Sequence, residues 1–218
     1  MTRLIALAAL IAAPAMASED IADQYPASAL YSKPIEVIPG VWSAIGATAP
    51  PGYDNSGHNN NLSFIVTGDG VIVVNSGAAP DAAHEFEARS WQLLEGMKAY
   101  NRDKAEGAEI AMPTETFGDR RDIRMGDMQI EVLHLGPAHS PGDISVWLPE
   151  QRLVIAGDIA FHERMLPIFD DTDTAGWLDT WENAFEPLGA LYVIPGHGHP
   201  TNMAQVRRYT HDYLADLR

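Results

Sequence analysis

Four β-hairpin signals fall in two blocks, with one helical window between the blocks. No other feature limits the folds open to this chain as strongly. The first block holds "IEVIPGVWSAIG" (35–46), two short runs around Pro39-Gly40. It also holds "NLSFIVTGDGVIVVNSG" (61–77), two β-rich runs around Gly68-Asp69-Gly70. The second block holds "TFGDRRDIRMGDMQIEVLHLG" (116–136), turning at Gly126-Asp127, and "DISVWLPEQRLVIAGD" (143–158), turning at Pro149-Glu150-Gln151. Gly, Pro, Asn and Asp in short breaks between β-branched runs favour tight turns.

Between the blocks, 81–106 places Phe86, Leu93, Met97 and Tyr100 on one helical face. After the second block, the pattern predicts a helix over 174–188 with Trp177, Trp181 and Leu188 inward and Asp173 or Thr172 as its N-cap. A strand over 191–197 follows. A last helix begins near Thr201 or Asn202, where Met203, Val206, Thr210, Tyr213 and Leu217 recur at helical spacing. Strands and helices do not alternate, which excludes a doubly wound parallel sheet. The expected architecture is α+β, two mixed sheets packed as a sandwich with helices outside.

The N-terminus reads MTRLIALAALIAAPAMASED. A basic start, an apolar run too short to span a bilayer and the small-residue site Ala15-Met16-Ala17 predict a signal peptide over 1–17. An extended lead-in is expected over 18–33 and one domain over 34–218. The mature chain is then expected in the periplasm or secreted, with no membrane attachment. The formal charge of −16 opposes nucleic-acid binding, which needs clustered Lys and Arg. There is no cysteine, so any metal must be held by His, Asp and Glu.

Three stretches share a design: an apolar strand that ends in a small turn carrying a ligand-type side chain. They are "VLHLGPAHSPGD" with His139, "LVIAGD" with Asp158 and "YVIPGHGHP" with His197. Glycine lets the backbone come close to a site, and loops at strand ends are where rigid scaffolds present function. Each alone is ordinary, since His beside Gly and Pro is usually a turn residue and Asp after a strand is often a cap. Two imidazoles and a carboxylate together form a normal zinc ligand set. "FDDTDT" (169–174) lacks the glycine and the distal Glu of a calcium loop, and reads as a helix cap with an acidic run.

His139 in "GPAHSPGD", Asp158 in "LVIAGD" and His197 in "IPGHG" resemble the second half of the metallo-β-lactamase superfamily site. "HNNNLSFIVTGDGVIVVNSG" resembles the family's first hairpin, with Asn75-Ser76-Gly77 in place of its usual Asp-Thr-Gly. The resemblance spans roughly 35–80 and 110–218, and its His-Ser-Pro-Gly wording is shared with the glyoxalase II-like and quinoprotein-associated branch. It implies a four-layer αββα sandwich and metal between the sheet edges.

The family's H-x-H-x-D-H motif is absent, and the only histidine between Gly77 and Leu133 is His84, in a helical pattern. The interval to Asn101 has room for one helix, so part of the N-terminal half is expected to be missing. By resemblance, His139 would complete a first metal site, Asp158 would bridge two metals and His197 would complete the second. The remaining set is expected to hold one zinc ion rather than two.

The expected activity is hydrolysis by metal-activated water of an ester, thioester or lactam-like carbonyl in a small molecule, with Asp158 orienting the water or taking its proton. His58, in the loop that resembles the family's flap, and His162 and Arg164, just after the bridging position, are the candidate substrate contacts; Arg164 suits a carboxylate. The alternatives are a non-catalytic member that binds a small molecule or protein through the same cleft, and a deleted form of a longer active protein. His134 is expected to be structural and His211 exposed.

Overall fold

The computed structural model describes residues 32–75, 94–96, 98–107, 115–170 and 172–217. The expected signal peptide, nearly all of the lead-in, His84 and most of the helix over 81–106 lie outside them. Each of the four hairpins forms. The first sheet is antiparallel, in the order β1 (Ile35–Ile38), β2 (Val41–Ala44), β3 (Leu62–Thr67), β4 (Gly70–Asn75). The second runs β5 (Arg120–Met125), β6 (Met128–Leu133), β7 (Ser145–Leu148), β8 (Leu153–Phe161), β9 (Tyr192–His197), and only β8 and β9 pair in parallel. The turns fall where the sequence marks them. Gly126 takes φ +60°, and its N–H donates to Asp69 Oδ2 at 3.0 Å, which ties the β5–β6 turn to the β3–β4 turn.

Two apolar layers hold these parts together. Val41 and Ile65 of the first sheet meet Met128, Ile130, Val146, Leu148, Leu153, Ile155 and Ile194 of the second. Alternation along each strand puts this set on one face. The other face of the second sheet carries Trp147, Val154, Ala156 and Phe161, against Trp177, Trp181, Phe185, Val206 and Leu214 of the helices. Between β4 and β5 the described residues carry helical stretches over 94–96 and 98–101 and a 3₁₀ turn, Arg102–Ala105, with no strand among them. The α+β sandwich is thus present, with helices packed on its second sheet. None of the described helices is long and apolar enough to cross a membrane.

Asp173 is the N-cap of the helix Thr174–Thr180, its Oδ1 accepting from the N–H groups of Ala175 and Gly176. Trp177 and Trp181 are fully buried, and Trp177 Nε1 donates to the Ile159 carbonyl at 3.0 Å. The expected single helix over 174–188 instead changes form, to a π turn (Trp181–Phe185) and a 3₁₀ turn (Glu186–Leu188), ending at Gly189 with φ +65°.

The last helix departs further from the sequence pattern. It breaks at Thr210 into Met203–Tyr209 and His211–Asp216, because the Thr210 hydroxyl pairs with both the N–H and the carbonyl of Phe161 at the end of β8. His211, expected to be exposed, is buried between Glu182 (2.9 Å) and Asp212 (3.0 Å), and Leu217, at the end of the helical stripe, is 54% exposed.

Candidate metal centre

Asp158 and His197 come from neighbouring parallel strands. β8 uses nine residues where β9 uses six, and the register shifts between Ile155 and Gly157 and again between Gly157 and Phe161. Such bulges re-aim side chains. Here they bring Asp158 Oδ1 to 3.5 Å from His197 Nε2. Gly157 (φ +59°) makes the bend, and Gly196 leaves the space beside it, since a Cβ there would overlap Asp158 Oδ1 and lie 2.8 Å from the Gly157 carbonyl oxygen.

The His197 loop is held from the first sheet. The Asn61 amide donates to the carbonyls of Pro195 (2.8 Å) and Gly198 (2.7 Å), its Oδ1 accepts from Gly46 N (3.1 Å), and its own N–H donates to the Gly196 carbonyl (2.8 Å). Asn61 is 4% exposed. Replacing it by alanine leaves two buried carbonyls and one buried N–H without partners, so Asn61→Ala is expected to lose about 2–4 kcal/mol of stability. Urea denaturation checks this; a loss near zero would mean that water takes over the three bonds.

His139 sits on the turn after β6. Thr180 Oγ1 donates to the Pro137 carbonyl (2.7 Å), and Thr172 Oγ1 to the His139 carbonyl (3.2 Å). Asp143 braces the same turn by accepting from Ser140 N (2.8 Å) and Oγ (2.9 Å). The His139 ring lies edge-on to Phe169 (5.3 Å), Trp177 (5.9 Å) and Phe161 (5.9 Å), while Phe161 stacks on His197 at 5.0 Å.

The electrostatics favour uncharged forms of the central pair. Burial, reinforced by the carboxylate of Asp143, pushes Asp158 up to about 7 against the pull of Arg164. A quarter of the side chain stays accessible, but Oδ1 itself is cut off from solvent and has no hydrogen-bond partner among the described residues. Burial, then the Arg164 cation, lowers His197 to about 4. At neutral pH the imidazole is therefore uncharged, so its contact with Asp158 is not an ion pair.

The arrangement suits one divalent cation in three respects. Donor atoms on a tetrahedral zinc lie about 3.4 Å apart, close to the separation seen here. The far nitrogen of His197 meets the Asn59 carbonyl, the usual support of a metal-ligating imidazole. The shielded, unbonded Asp158 oxygen is the third. The described residues by themselves do not make a two-metal centre. The described residues present no group of three or more His, Asp or Glu side chains disposed to hold a metal ion. The expected triad is thus present as the Asp158–His197 pair, with His139 across the Phe161 ring as a neighbour.

The expected substrate contacts take different places. His58 is 8% exposed, and its N–H donates to the Asn55 carbonyl at the root of the loop. His162 donates through Nδ1 to the His199 carbonyl (2.8 Å) and lies edge-on to Tyr209. Arg164 lies in the site, its Nη1 2.9 Å from His197 Nδ1. Met165, Ile168 and Phe169, on the segment that follows it, expose 71%, 43% and 51% of their surfaces. Sequence reasoning missed Asn61 and Asp143. Asp143 stands within the "AHSPGD" stretch and is signalled by it, whereas Asn61 in "HNNN" carries no sign of its distant partners.

Comparison with known proteins bears on the family and the fold. The chain is 27% identical to a metallo-β-lactamase type 2 from Bacteroides fragilis over 44% of its own length and 40% of the relative's. It is 29% identical to the Bacillus cereus enzyme of that name (47% and 43%), and 23% identical to the human acyl-coenzyme A thioesterase MBLAC2 (49% and 39%). The chain thus spans less than half the length of these curated relatives. Among solved structures, a metallo-β-lactamase from Pontibacter korlensis superposes with a TM-score of 0.57 at 17% identity, covering 84% of this chain and 99% of the other. That likeness establishes the fold. The sequence model of the metallo-β-lactamase superfamily matches residues 67–197, more than half of the chain, and the chain belongs to that superfamily.

Proposed function

We propose that this chain is an exported, single-metal hydrolase that cleaves an ester, thioester or lactam-like carbonyl in a small molecule, with Asp158 and His197 as protein donors to one zinc ion. The observation that carries this reading is the pair of donor atoms 3.5 Å apart, one of them a shielded carboxylate oxygen. Relatives named as β-lactamases and as an acyl-coenzyme A thioesterase support the carbonyl class. The stretch over 1–17 supports export, to the periplasm or beyond the cell.

Bound zinc supplies a water acidified to near neutrality and a Lewis acid for the carbonyl. The chain's own groups do the rest. The Asn59 carbonyl orients the His197 ring through Nδ1. In the metal-free fold, burial and the Asp143 carboxylate raise the Asp158 carboxyl to about 7; a bound cation would favour its charged form, which would orient the water beside the reacting carbonyl. Arg164 provides positive charge at the same rim, and the exposed Met165, Ile168 and Phe169 offer apolar surface for an acyl group.

A second reading is favoured by one observation. Two protein donors are one fewer than a catalytic zinc takes, and a guanidinium stands against one of them. A non-catalytic member would bind an anionic small molecule in the same place. Zinc per chain in the purified mature protein separates the readings. About one zinc per chain, lost in Asp158→Ala and in His197→Ala, with chelator-sensitive turnover of nitrocefin or an acyl-coenzyme A, supports the hydrolase. Absence of zinc from the unmutated protein removes it, and zinc retained in both variants means different ligands.

A further inference from the structure

Met165, Ile168 and Phe169 stand in water within five residues of one another. Single exposed apolar side chains are ordinary, but a cluster of them beside a site marks a binding surface. Two contacts hold this one in place. Leu166, between the exposed residues, is buried with Phe161 and Trp177 and anchors the segment. Thr172 fastens its far end. The Thr172 Oγ1 accepts from Phe169 N (3.1 Å) and donates to the His139 carbonyl (3.2 Å), and the Thr172 N–H donates to the Phe169 carbonyl (3.1 Å). The Phe169 ring is thereby kept edge-on to His139. A fixed apolar surface starts next to Arg164, whose guanidinium reaches His197, and ends against His139.

We infer that Met165, Ile168 and Phe169 determine specificity by taking an unbranched hydrocarbon chain, so that the preferred substrate is a long-chain acyl ester or thioester and not a lactam. This rests on the hydrolase reading above, which leaves the three carbonyl classes open. The side chains fit that class. Methionine is unbranched and polarisable, and it moulds itself to chains of different length. Phenylalanine and isoleucine supply apolar area with few rotors to freeze. None of the three side chains offers a strong donor or acceptor, so a compact polar ring gains little from them. The surface covers one side of a bound chain and leaves the other in water. Each added methylene should therefore raise kcat/KM about twofold, against about fourfold for full burial.

The test is chelator-sensitive hydrolysis of p-nitrophenyl esters from acetyl to octanoyl, below their micelle concentrations, by the zinc-loaded mature chain. In the parent, kcat/KM is expected to rise on the order of 50-fold from acetyl to octanoyl. The octanoyl-to-acetyl ratio is expected to fall at least about fivefold in the double variant Met165→Gln, Phe169→Ser. A ratio taken within one protein is unaffected by the fraction folded or loaded with zinc. A flat ratio in the parent overturns the inference, as does a ratio that the double variant keeps, or a higher kcat/KM for nitrocefin than for the octanoyl ester. If no ester or lactam is turned over, the hydrolase reading fails, and calorimetry with octanoate and butyrate decides the surface. Octanoate bound more tightly than butyrate by the parent, but not by the double variant, supports a chain-binding surface. Equal binding of the two acids by the parent, or no binding of either, overturns it.

Discussion

Gly196→Ala is expected to damage both the fold and the Asp158–His197 pair. The added Cβ would overlap Asp158 Oδ1, with the Gly157 carbonyl oxygen 2.8 Å away. The carboxylate can rotate aside, but the Gly157 backbone belongs to the paired strand and cannot yield as easily. Two effects should follow. Stability should fall by about 1–3 kcal/mol, the usual result of forcing a methyl into packed space. Zinc affinity should fall on the order of 100-fold, because the displaced Asp158 oxygen no longer faces His197 Nε2. Thermal unfolding and a zinc titration measure these separately. Unchanged affinity alongside lost stability would show that Asp158 does not ligate from its present position.

Asp158→Asn should have the opposite effect on the metal-free protein. It should be more stable than the parent at pH 8, by about 2–4 kcal/mol. The Asp158 carboxyl titrates near 7 in the fold, chiefly through burial and then through Asp143, against an ordinary value of 3.8 in the unfolded chain. The folded state therefore keeps a proton that the unfolded state has released. Parent stability falls as pH rises from about 4 to about 7, and the full penalty is present above that window. Asparagine has no charge to bury, so the variant escapes the penalty, and its advantage should vanish below about pH 4. Saturating zinc should reverse the ranking, because binding to the folded parent stabilises it and the variant lacks the ligand. Denaturation at pH 4 and pH 8, with and without zinc, tests each step. A variant weaker than the parent at pH 8 without metal would mean that some group compensates Asp158.

Strand order and turns were legible in the sequence because they depend on neighbours. Pro39-Gly40, Gly68-Asp69 and Gly126-Asp127 turn the chain where they stand, whatever lies across the fold. The strand-end position of His197 was readable for the same reason, whereas β8 runs on past Asp158 to Phe161. His211 was assigned to the wrong environment because its partner Glu182 stands 29 residues away in sequence and comes near only by folding. Asn61 was invisible because its partners are Pro195 and Gly198, brought near only by folding. Arg164 was read as a substrate contact because its side chain suits carboxylates, and its contact with His197, 33 residues away in sequence, comes only with folding. The missing histidine-rich motif was plain to see, yet the sequence could not say that the surviving donors would form a pair in place of a triad.

The clasp made by Asn61 also bears on the order of assembly. The first sheet and the last strand of the second are far apart along the backbone, and Asn61, with the Asn59 carbonyl beside it, fastens the rim that carries His197. That rim can become rigid only after the two halves of the sandwich have docked, so competence for metal should arrive late in folding and be the first property surrendered when the halves begin to part.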